Sequence, residues 1–569
     1  MPPPPLHTPN RATIIVIDEP GHRRDLAEAE LRRRYAVDYD ILVVDHGPAA
    51  ATAVTTLHDE RTPVALALVA PQEGSDFTGL FGIIEALHPA SKRALLVDFG
   101  AWSVPAMASA IRICMAAGRV DYYVLSPSRP GDELFHRTVV EFLFEFARTN
   151  VSGERREFVV IADRWSARGH EIRQLLARNG VPHVSYEPGS VVAARLLEDL
   201  AITDVSGPLL VTPTGEALLD PLDRDIARHY GVATALDGRA DVDVAIVGAG
   251  PAGLSAAISA AAEGLEVLVI ESQGIGGQAA TTSRIRNYLG FSRGVSGAEL
   301  AQRAYQQAWA FGVEFVHMST VTGLRPTGSR YALSFTGSPD VTASAVILAT
   351  GVAYRRMEEP TIEALLGKGV YYGASVSEAR SLEGSRVVVV GGGNSAGQAA
   401  VHLARFTDHV TIVTRKPTLG STMSQYLRDE IDAVANIDVR YRCTLVDAGG
   451  AQHLEWVVLR DDAGDHRTGV AAAFLFIGGQ PRTDWLPRMV ARDPGGYVLT
   501  GADAAALGAG GRTLFETTAP GVFAVGDVRA GSVKRVASAA GEGSVVVPHV
   551  LAHVMEATSQ VAAARAASA

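Results

Sequence analysis

The sequence predicts a multidomain α/β protein built around parallel sheets. Three observations carry that expectation. The chain has 569 residues, too many for one hydrophobic core, so about three or four domains are expected. Two stretches, 242–272 and 385–416, each read as an apolar strand, a glycine-rich turn, an Ala-rich helix and a second apolar strand. Four more apolar strands alternate with helical patterns over residues 11–150.

Composition narrows the class. With 47% hydrophobic and 20% charged residues, the chain has the make-up of an ordinary soluble globular protein. Its 51 basic and 62 acidic residues give a net charge of −11, which argues against a nucleic-acid binder. The start, MPPPPLHTPN, is proline-rich without an apolar core; residues 1–10 read as a disordered tail rather than a signal peptide. No apolar run reaches the roughly 18 residues that a membrane span needs, so neither membrane contact nor export is expected and the cytoplasm is the expected location. Cys114 and Cys443 lie far apart, each in a pattern that suits a small buried hydrophobe, and a disulfide is not expected in a reducing compartment. The histidines show no ligand spacing, so no metal site is expected.

Residues 11–150 open with RATIIVIDEP, a buried strand ending in acids. Further strands recur at VALALVA (64–70), RALLVDF (93–99) and DYYVLSP (121–127), a flavodoxin-like, doubly wound layout. The segment resembles a response-regulator receiver, and its chemical positions can be checked one by one. Ile17 stands in place of the first of two metal-binding acids, leaving Asp18 and Glu19. Pro71 stands where the phospho-accepting Asp is expected, Val97 at the switch Thr or Ser, and Ser126 at the Lys before Pro127. With no acceptor carboxylate and no lysine, phosphotransfer has nothing to work with. The domain reads as a pseudo-receiver.

Residues 157–232 begin EFVVIADRWSARGHEIRQLLARNGVPHVSYE, a strand, loop, helix and strand. Pro208 then opens a strand, Thr214-Gly215 makes a hairpin turn, and a helix ends the unit. This resembles a thioredoxin or glutaredoxin fold with Pro208 at its cis-proline position. The active-site Cys-x-x-C should follow Trp165, but Ser166, Ala167, Arg168 and Gly169 stand there. A serine cannot form a disulfide and is hardly ionised at neutral pH.

The stretch VDVAIVGAGPAGLSAAISAAAEGLEVLVIES (242–272) places Gly248-x-Gly250-x-x-Gly253 between strand and helix. Gly248 suits the tight turn, Gly250 lets backbone approach a pyrophosphate, and Gly253 lets the helix pack on the strand. Glu271 ends the second strand, where a carboxylate can accept hydrogen bonds from a ribose. In the second unit Gly391, Gly393 and Ala396 take the same positions, with Asn394 opening the helix. The step from Gly248 to Glu271, taken from Gly391, lands on Thr414, with Arg415 and Lys416 next. No carboxylate is there for a free 2′-hydroxyl, and two cations could meet a 2′-phosphate, which favours NADPH over NADH. The competing reading leaves Arg415 and Lys416 merely solvated at a strand end. Downstream, Gly526-Asp527 ends a short apolar strand before a helical stretch. Two nucleotide folds, the second inserted into the first, imply a flavin reduced by a nicotinamide.

Residues 241–557 resemble thioredoxin reductases. GIGGQ (274–278), IRNYLGF (285–291) and ATG (349–351) match the family's flavin-contacting segments. The resemblance implies that Gly277, Gln278, Asn287, Thr350, Gly526 and Asp527 face FAD, with Asp527 reaching the ribityl chain. Three departures stand out. Gly373, Ala374, Ser375 and Val376 replace the redox Cys-x-x-C, the dithiol positions being Gly373 and Val376. The family's Arg-Gln-Ala near the flavin reads Arg535-Val536-Ala537, and its basic motif is half kept, by Arg415 and Lys416. The whole chain is similar to bacterial fused response-regulator/thioredoxin reductase flavoproteins. Its expected division is FAD domain 241–355 and 481–557 with an NAD(P)H-binding domain at 356–480, and its expected assembly is a homodimer.

The function implied is an NADPH-dependent FAD oxidoreductase that passes electrons to a redox protein, quinone, oxygen or small thiol metabolite without its own disulfide. The alternative is a redox- or nucleotide-sensing flavoprotein that acts through partner docking. Small residues at 373–376 are expected to leave the flavin face open, with Tyr371 and Tyr372 either flanking it or packed in the core.

Overall fold

The structure, a computed structural model, describes residues 11–71, 77–98, 119–149, 157–179, 181–202, 206–236, 241–282, 284–291, 294–373, 379–507 and 510–568. The expectations for the 1–10 tail, Cys114, Ala374, Ser375 and Val376 lie outside these residues. By its internal contacts the chain divides into two units, Met1–Glu154 with Asp432–Ala435, and Arg155–Ile431 with Asn436–Ala569.

In the first unit, strands β1 (Thr13–Ile17), β2 (Asp40–Val44), β3 (Val64–Val69), β4 (Lys92–Val97) and β5 (Tyr122–Leu125) are all parallel. Their order is β2-β1-β3-β4-β5, a doubly wound arrangement. Alternation along β1 sorts the helices into two layers. Ile14 and Val16 pack with α1 (His22–Tyr35) and α4 (Glu133–Thr149), whereas Ile15 and Ile17 pack with α2 (Pro48–Asp59) and α3 (Phe77–Leu87).

The second unit opens with a mixed sheet of order β7-β6-β8-β9. Its elements run β6 (Phe158–Ile161), α5 (Ala167–Arg178), β7 (His183–Tyr186), α6 (Val191–Asp199), β8 (Leu209–Val211), β9 (Ala217–Leu219) and α7 (Asp223–His229). β6 and β7 are parallel, and β8 and β9 run back antiparallel, joined by a turn in which Gly215 has φ +87°. The Gly207–Pro208 peptide is trans, which corrects the cis-proline expectation. Trans is the lower-energy form of an X–Pro peptide by about 0.5–1 kcal/mol.

A larger sheet follows, in the order β12-β11-β10-β15-β14-β13, with a late strand beside β15. Its strands are β10 (Asp241–Val247), β11 (Val267–Ile270), β12 (Glu314–Val316), β13 (Val321–Thr327), β14 (Arg330–Phe335) and β15 (Val341–Leu348). Helices α8 (Pro251–Ala262) and α9 (Gly297–Ala310) cover one face. The chain then leaves through β16 (Val352–Tyr354) and forms a second parallel sheet, β17-β24-β18-β19-β20. This sheet comprises β17 (Val370–Tyr372), β18 (Arg386–Val390), β19 (His409–Val413), β20 (Ile437–Arg440) and β24 (Ala472–Leu475), with α10 (Asn394–Leu403) and α11 (Gln425–Asp432). A three-stranded antiparallel layer, β21 (Thr444–Gly449), β22 (Trp456–Asp461) and β23 (Gly464–Gly469), packs against it. The chain returns through β25 (Gly479–Pro481), antiparallel to β16, and closes the first sheet with β26 (Val522–Ala524), α12 (Val536–Val545) and α13 (Val547–Ser568). The β16–β25 ladder is therefore the double crossing between the two sheets. It pairs Val352 with Pro481 and Tyr354 with Gly479. Among the described residues, no helix is long and apolar enough to cross a membrane.

Candidate functional site

At the first glycine loop each glycine answers a different steric demand. Gly248 has φ +106°, and a Cβ there would lie 2.5 Å from the Ala349 carbonyl oxygen. A Cβ on Gly253 would lie 1.9 Å from the Gly248 carbonyl oxygen, so α8 can sit against its strand only without that side chain. On Gly250 a Cβ would meet nothing within 4 Å, so the start of α8 opens on free space. Backbone amides at a helix start facing such a cradle suit a phosphate, and the loop fits a dinucleotide pyrophosphate.

Glu271, at the end of β11, is buried, and its carboxylate accepts from the amides of Ala249 (2.7 Å), Gln273 (2.7 Å) and Gly274 (3.3 Å). It therefore ties the glycine loop to the 273–277 segment. That segment is held against the loop a second time, by the Gly276 amide on the Ala249 carbonyl at 2.7 Å. A Cβ on Gly277 would come within 3.4 Å of Gly250 Cα. Gln278 is exposed and donates to the Val352 carbonyl; Thr350 borders Gly248, and Asn287 lies exposed on the 284–291 loop.

From the far end of the chain, Gly526 has φ +72°, and a Cβ there would touch Ala252 Cβ at 2.8 Å. Its amide donates to Glu542 (2.7 Å), which also accepts from Arg529 Nη2 (2.6 Å). This carboxylate clamp was missed in the sequence because its members lie 13 and 16 residues apart and act only once α12 folds back. It presents Asp527, whose carboxylate has no hydrogen-bond partner among the described residues. Burial pushes that carboxyl up; Lys534 opposes the shift and Glu542 adds to it. Arg535, Val536 and Ala537 begin α12, with Arg535 and Ala537 exposed. The structure thus gathers Gly248, Gly250, Gly253, Glu271, Gly277, Thr350, Gly526 and Asp527 around the start of α8.

The second loop repeats the backbone. Gly391 has φ +151°, and a Cβ would lie 2.7 Å from the Phe476 carbonyl oxygen. Gly393 faces free space as Gly250 does, and the Ala396 methyl fills the position of the third glycine. Asn394 accepts from the Ser424 amide at 2.8 Å, fixing the start of α10. Thr414 is buried behind the loop; a Cβ on Gly392 would lie 2.6 Å from its hydroxyl oxygen. Arg415 and Lys416 are exposed, and among the described residues neither side chain has a hydrogen-bond or ion-pair partner. Arg440, paired with Val413 across β19–β20, adds a third exposed cation at the same sheet edge. Sequence spacing within one β-α-β unit could not reveal it, because it arrives from the next strand.

At the expected dithiol position, Gly373 has φ +85°, and a Cβ would lie 2.8–2.9 Å from the Tyr354 ring and hydroxyl. The expectation of an open face at this residue is corrected: the Tyr354 side chain covers it. Burial pushes the Tyr354 phenol up, opposed by its hydrogen bond with Thr281 and by the Arg178 charge. Tyr371 is a core residue, 1% exposed, with its ring 5.3 Å from Phe474, so it flanks no cleft. Tyr372 is anchored by its hydroxyl, which donates to Glu363 and accepts from the Met357 amide (2.5 Å). Cys443 is free and buried in the core beneath β21–β22, and burial pushes its thiol up.

The other expected dithiol position is a helix start. Ser166 caps α5 by accepting from the Gly169 amide at 3.0 Å. In the first unit, Asp18 is buried and accepts from Arg23 Nη2 (2.6 Å) and Nε (2.8 Å). Arg24 donates to the Asp18 carbonyl (3.1 Å) and to Asp45. Guanidinium groups thus pair with Asp18, Asp45 and Asp98 at this sheet edge, and among the described residues no acid or histidine cluster could hold a metal.

The pyridine nucleotide-disulphide oxidoreductase model matches residues 242–543, more than half of the chain, across both glycine loops and the Gly526–Asp527 turn. The chain belongs to that family. Within it, the chain is 36% identical over 306 residues to a thioredoxin reductase of Treponema pallidum (strain Nichols), covering 53% of this chain and 94% of the relative. It is 31% identical over 306 residues, with the same coverage, to a 34.2 kDa protein in the rubredoxin operon of Clostridium pasteurianum. Among solved structures, thioredoxin reductase from Lactococcus lactis in its FR conformation superposes with a TM-score of 0.51 and 26% identity, covering 55% of this chain and 99% of that one. The T. acidophilum enzyme gives 0.51 and 27%, with the same coverage. FAD and NADPH are the cofactors of the thioredoxin reductases in this family.

Proposed function

We propose that this chain is an NADPH-dependent FAD oxidoreductase that delivers electrons to an external acceptor without a Cys-x-x-C relay. The single observation that carries this reading is Gly373 beneath the Tyr354 ring, where the relay's first sulfur would stand. Bound FAD supplies a two-electron carrier that NADPH reduces by hydride transfer. The chain's own residues hold and orient: the amides at the start of α8 meet the pyrophosphate, Glu271 accepts from the ribose, and Asp527 accepts from the ribityl hydroxyls. Gln278, Asn287, Thr350 and the start of α12 at 535–537 complete that cleft. The start of α10 with Asn394 meets the second pyrophosphate, and Arg415 and Lys416 meet the 2′-phosphate.

The front of the chain fits a supporting role. The doubly wound unit at 11–150 is read as a pseudo-receiver, supported by Arg23 and Arg24 on its acids. The sheet order at 157–232, with Ser166 capping its helix, supports a thioredoxin-like module without thiol chemistry. A sensor that acts by docking draws on the same observations and differs in turnover. The purified protein should be yellow, and NADPH should drive multiple turnovers with at least one acceptor from a panel of quinones, oxygen, redox proteins and low-molecular-weight disulfides. Flavin reduction without turnover on any of them would favour the sensor, and colourless folded protein would overturn both.

A further inference from the structure

The helix that would carry the missing dithiol of the 157–232 segment is seated on both nucleotide-binding sheets. At its start, Trp165 stacks on His453 (4.5 Å, 18°) and His170 packs on Tyr371 (4.7 Å). Ala167 Cα lies only 2.8 Å from where a Cβ on Gly367 would be, and Arg164 donates to the Ser381 carbonyl. At its far end, Asn179 fills the space beside Gly274, and Arg178 Nη1 donates to Gln273 Oε1 at 2.9 Å. A 12-residue helix spans about 18 Å, so α5 carries Arg178 to the lip of the first glycine loop and is fixed there from both ends.

Arg178 stands at that lip, beside Gln273. Its Nε is buried with no hydrogen-bond partner, and among the described residues it has no carboxylate partner. Burial pushes the guanidinium down from its ordinary value; Tyr354 and Glu271 act against this, and Arg482 adds a second positive charge. Glu271 acts on this charge only at a distance: no ion pair joins the two among the described residues, and its carboxylate holds the amides of Ala249, Gln273 and Gly274. Arg178 Nη1 and Nη2 donate to the Gln273 and Gln174 side-chain oxygens, and a bound anion would supply the counter-charge that this half-buried cation lacks.

We propose that Arg178 is a cofactor-binding residue, supplied by the thiol-less segment, that holds the FAD pyrophosphate at the first glycine loop. The inference rests on the flavoprotein reading above. It gives the segment a present role, adding a cation at the first glycine loop.

The test uses full-length apoprotein and equilibrium binding of FAD, ADP and riboflavin, followed by flavin or intrinsic fluorescence, on wild type, Arg178→Ala and Arg178→Lys. Loss of a charged hydrogen bond should weaken FAD and ADP about 10- to 100-fold in Arg178→Ala and leave riboflavin unchanged. Arg178→Lys should recover part of the loss, because it keeps the charge without the planar fork. Secondary structure and thermal unfolding of the apoprotein check that the variants fold. Unchanged FAD affinity in folded Arg178→Ala overturns the inference, as does equal weakening of riboflavin, which would mark a general distortion. Inorganic phosphate that alters acceptor reduction by the holoenzyme in an Arg178-dependent way, with FAD affinity unchanged, would assign the cation to an anionic acceptor and also overturn it. Failure of the wild type to bind FAD defeats the flavoprotein reading itself and is distinct from these outcomes.

Discussion

At the first glycine loop the second strand ends in Glu271, a buried carboxylate held by three backbone amides. At the second loop the equivalent place is Thr414, followed by Arg415, Lys416 and, from the next strand, Arg440. The turns themselves are alike: a glycine at positive φ, then one facing free space, then a residue pressed against the strand. On the proposed function, the difference means that the turn would provide for a pyrophosphate and the strand end would decide which ribose can follow it. It also shows two packings of one motif, with Gly253 against the Gly248 carbonyl oxygen and the larger Ala396 at the matching place.

The largest effect should come from exchanging those packings. In Gly253→Val the first methyl-bearing carbon would meet the Gly248 carbonyl oxygen at 1.9 Å, forcing α8 off its strand. Loss of FAD and a destabilisation of more than about 3 kcal/mol are expected, read by flavin content and thermal unfolding. Ala396→Gly should cost only about 1 kcal/mol, the helix propensity of glycine. Equal costs at the two loops would break the comparison.

An intermediate effect is expected at the strand ends. Arg415→Ala with Lys416→Ala should lower the preference for NADPH over NADH about 10- to 100-fold, and adding Arg440→Ala should lower it further. The reading is the rate of anaerobic flavin reduction at low cofactor concentration. A wild type that reacts equally with both cofactors would remove the 2′-phosphate assignment. Glu271→Gln keeps the shape but replaces two acceptor oxygens with one acceptor and one donor group, so FAD should bind about tenfold more weakly. NADPH affinity should stay the same.

What was legible in the sequence was local. Strand, glycine turn, helix and acid from 242 to 272 lie within one β-α-β unit, where spacing alone places Gly248, Gly253 and Glu271 together. The β16–β25 crossing was legible because the second fingerprint interrupts the first sheet. The rest depended on long-range packing. Tyr354 reaches Gly373, Glu542 reaches Gly526, and Arg178 reaches Gln273 only through tertiary contacts between segments that carry no shared motif. Tyr371 left two readings open because a buried strand of a parallel sheet hides both of its faces, so its aromatic character did not mark a cleft.

The smallest expected effect tests the central claim most directly. Full-length Cys114→Ser with Cys443→Ser should be reduced anaerobically by NADPH and then mixed with an acceptor that the wild type turns over. Direct delivery predicts that FAD content, flavin reduction and acceptor reduction all match the wild type. A double variant that keeps its FAD and its reduction by NADPH but loses acceptor turnover would contradict the account and require a thiol in the path.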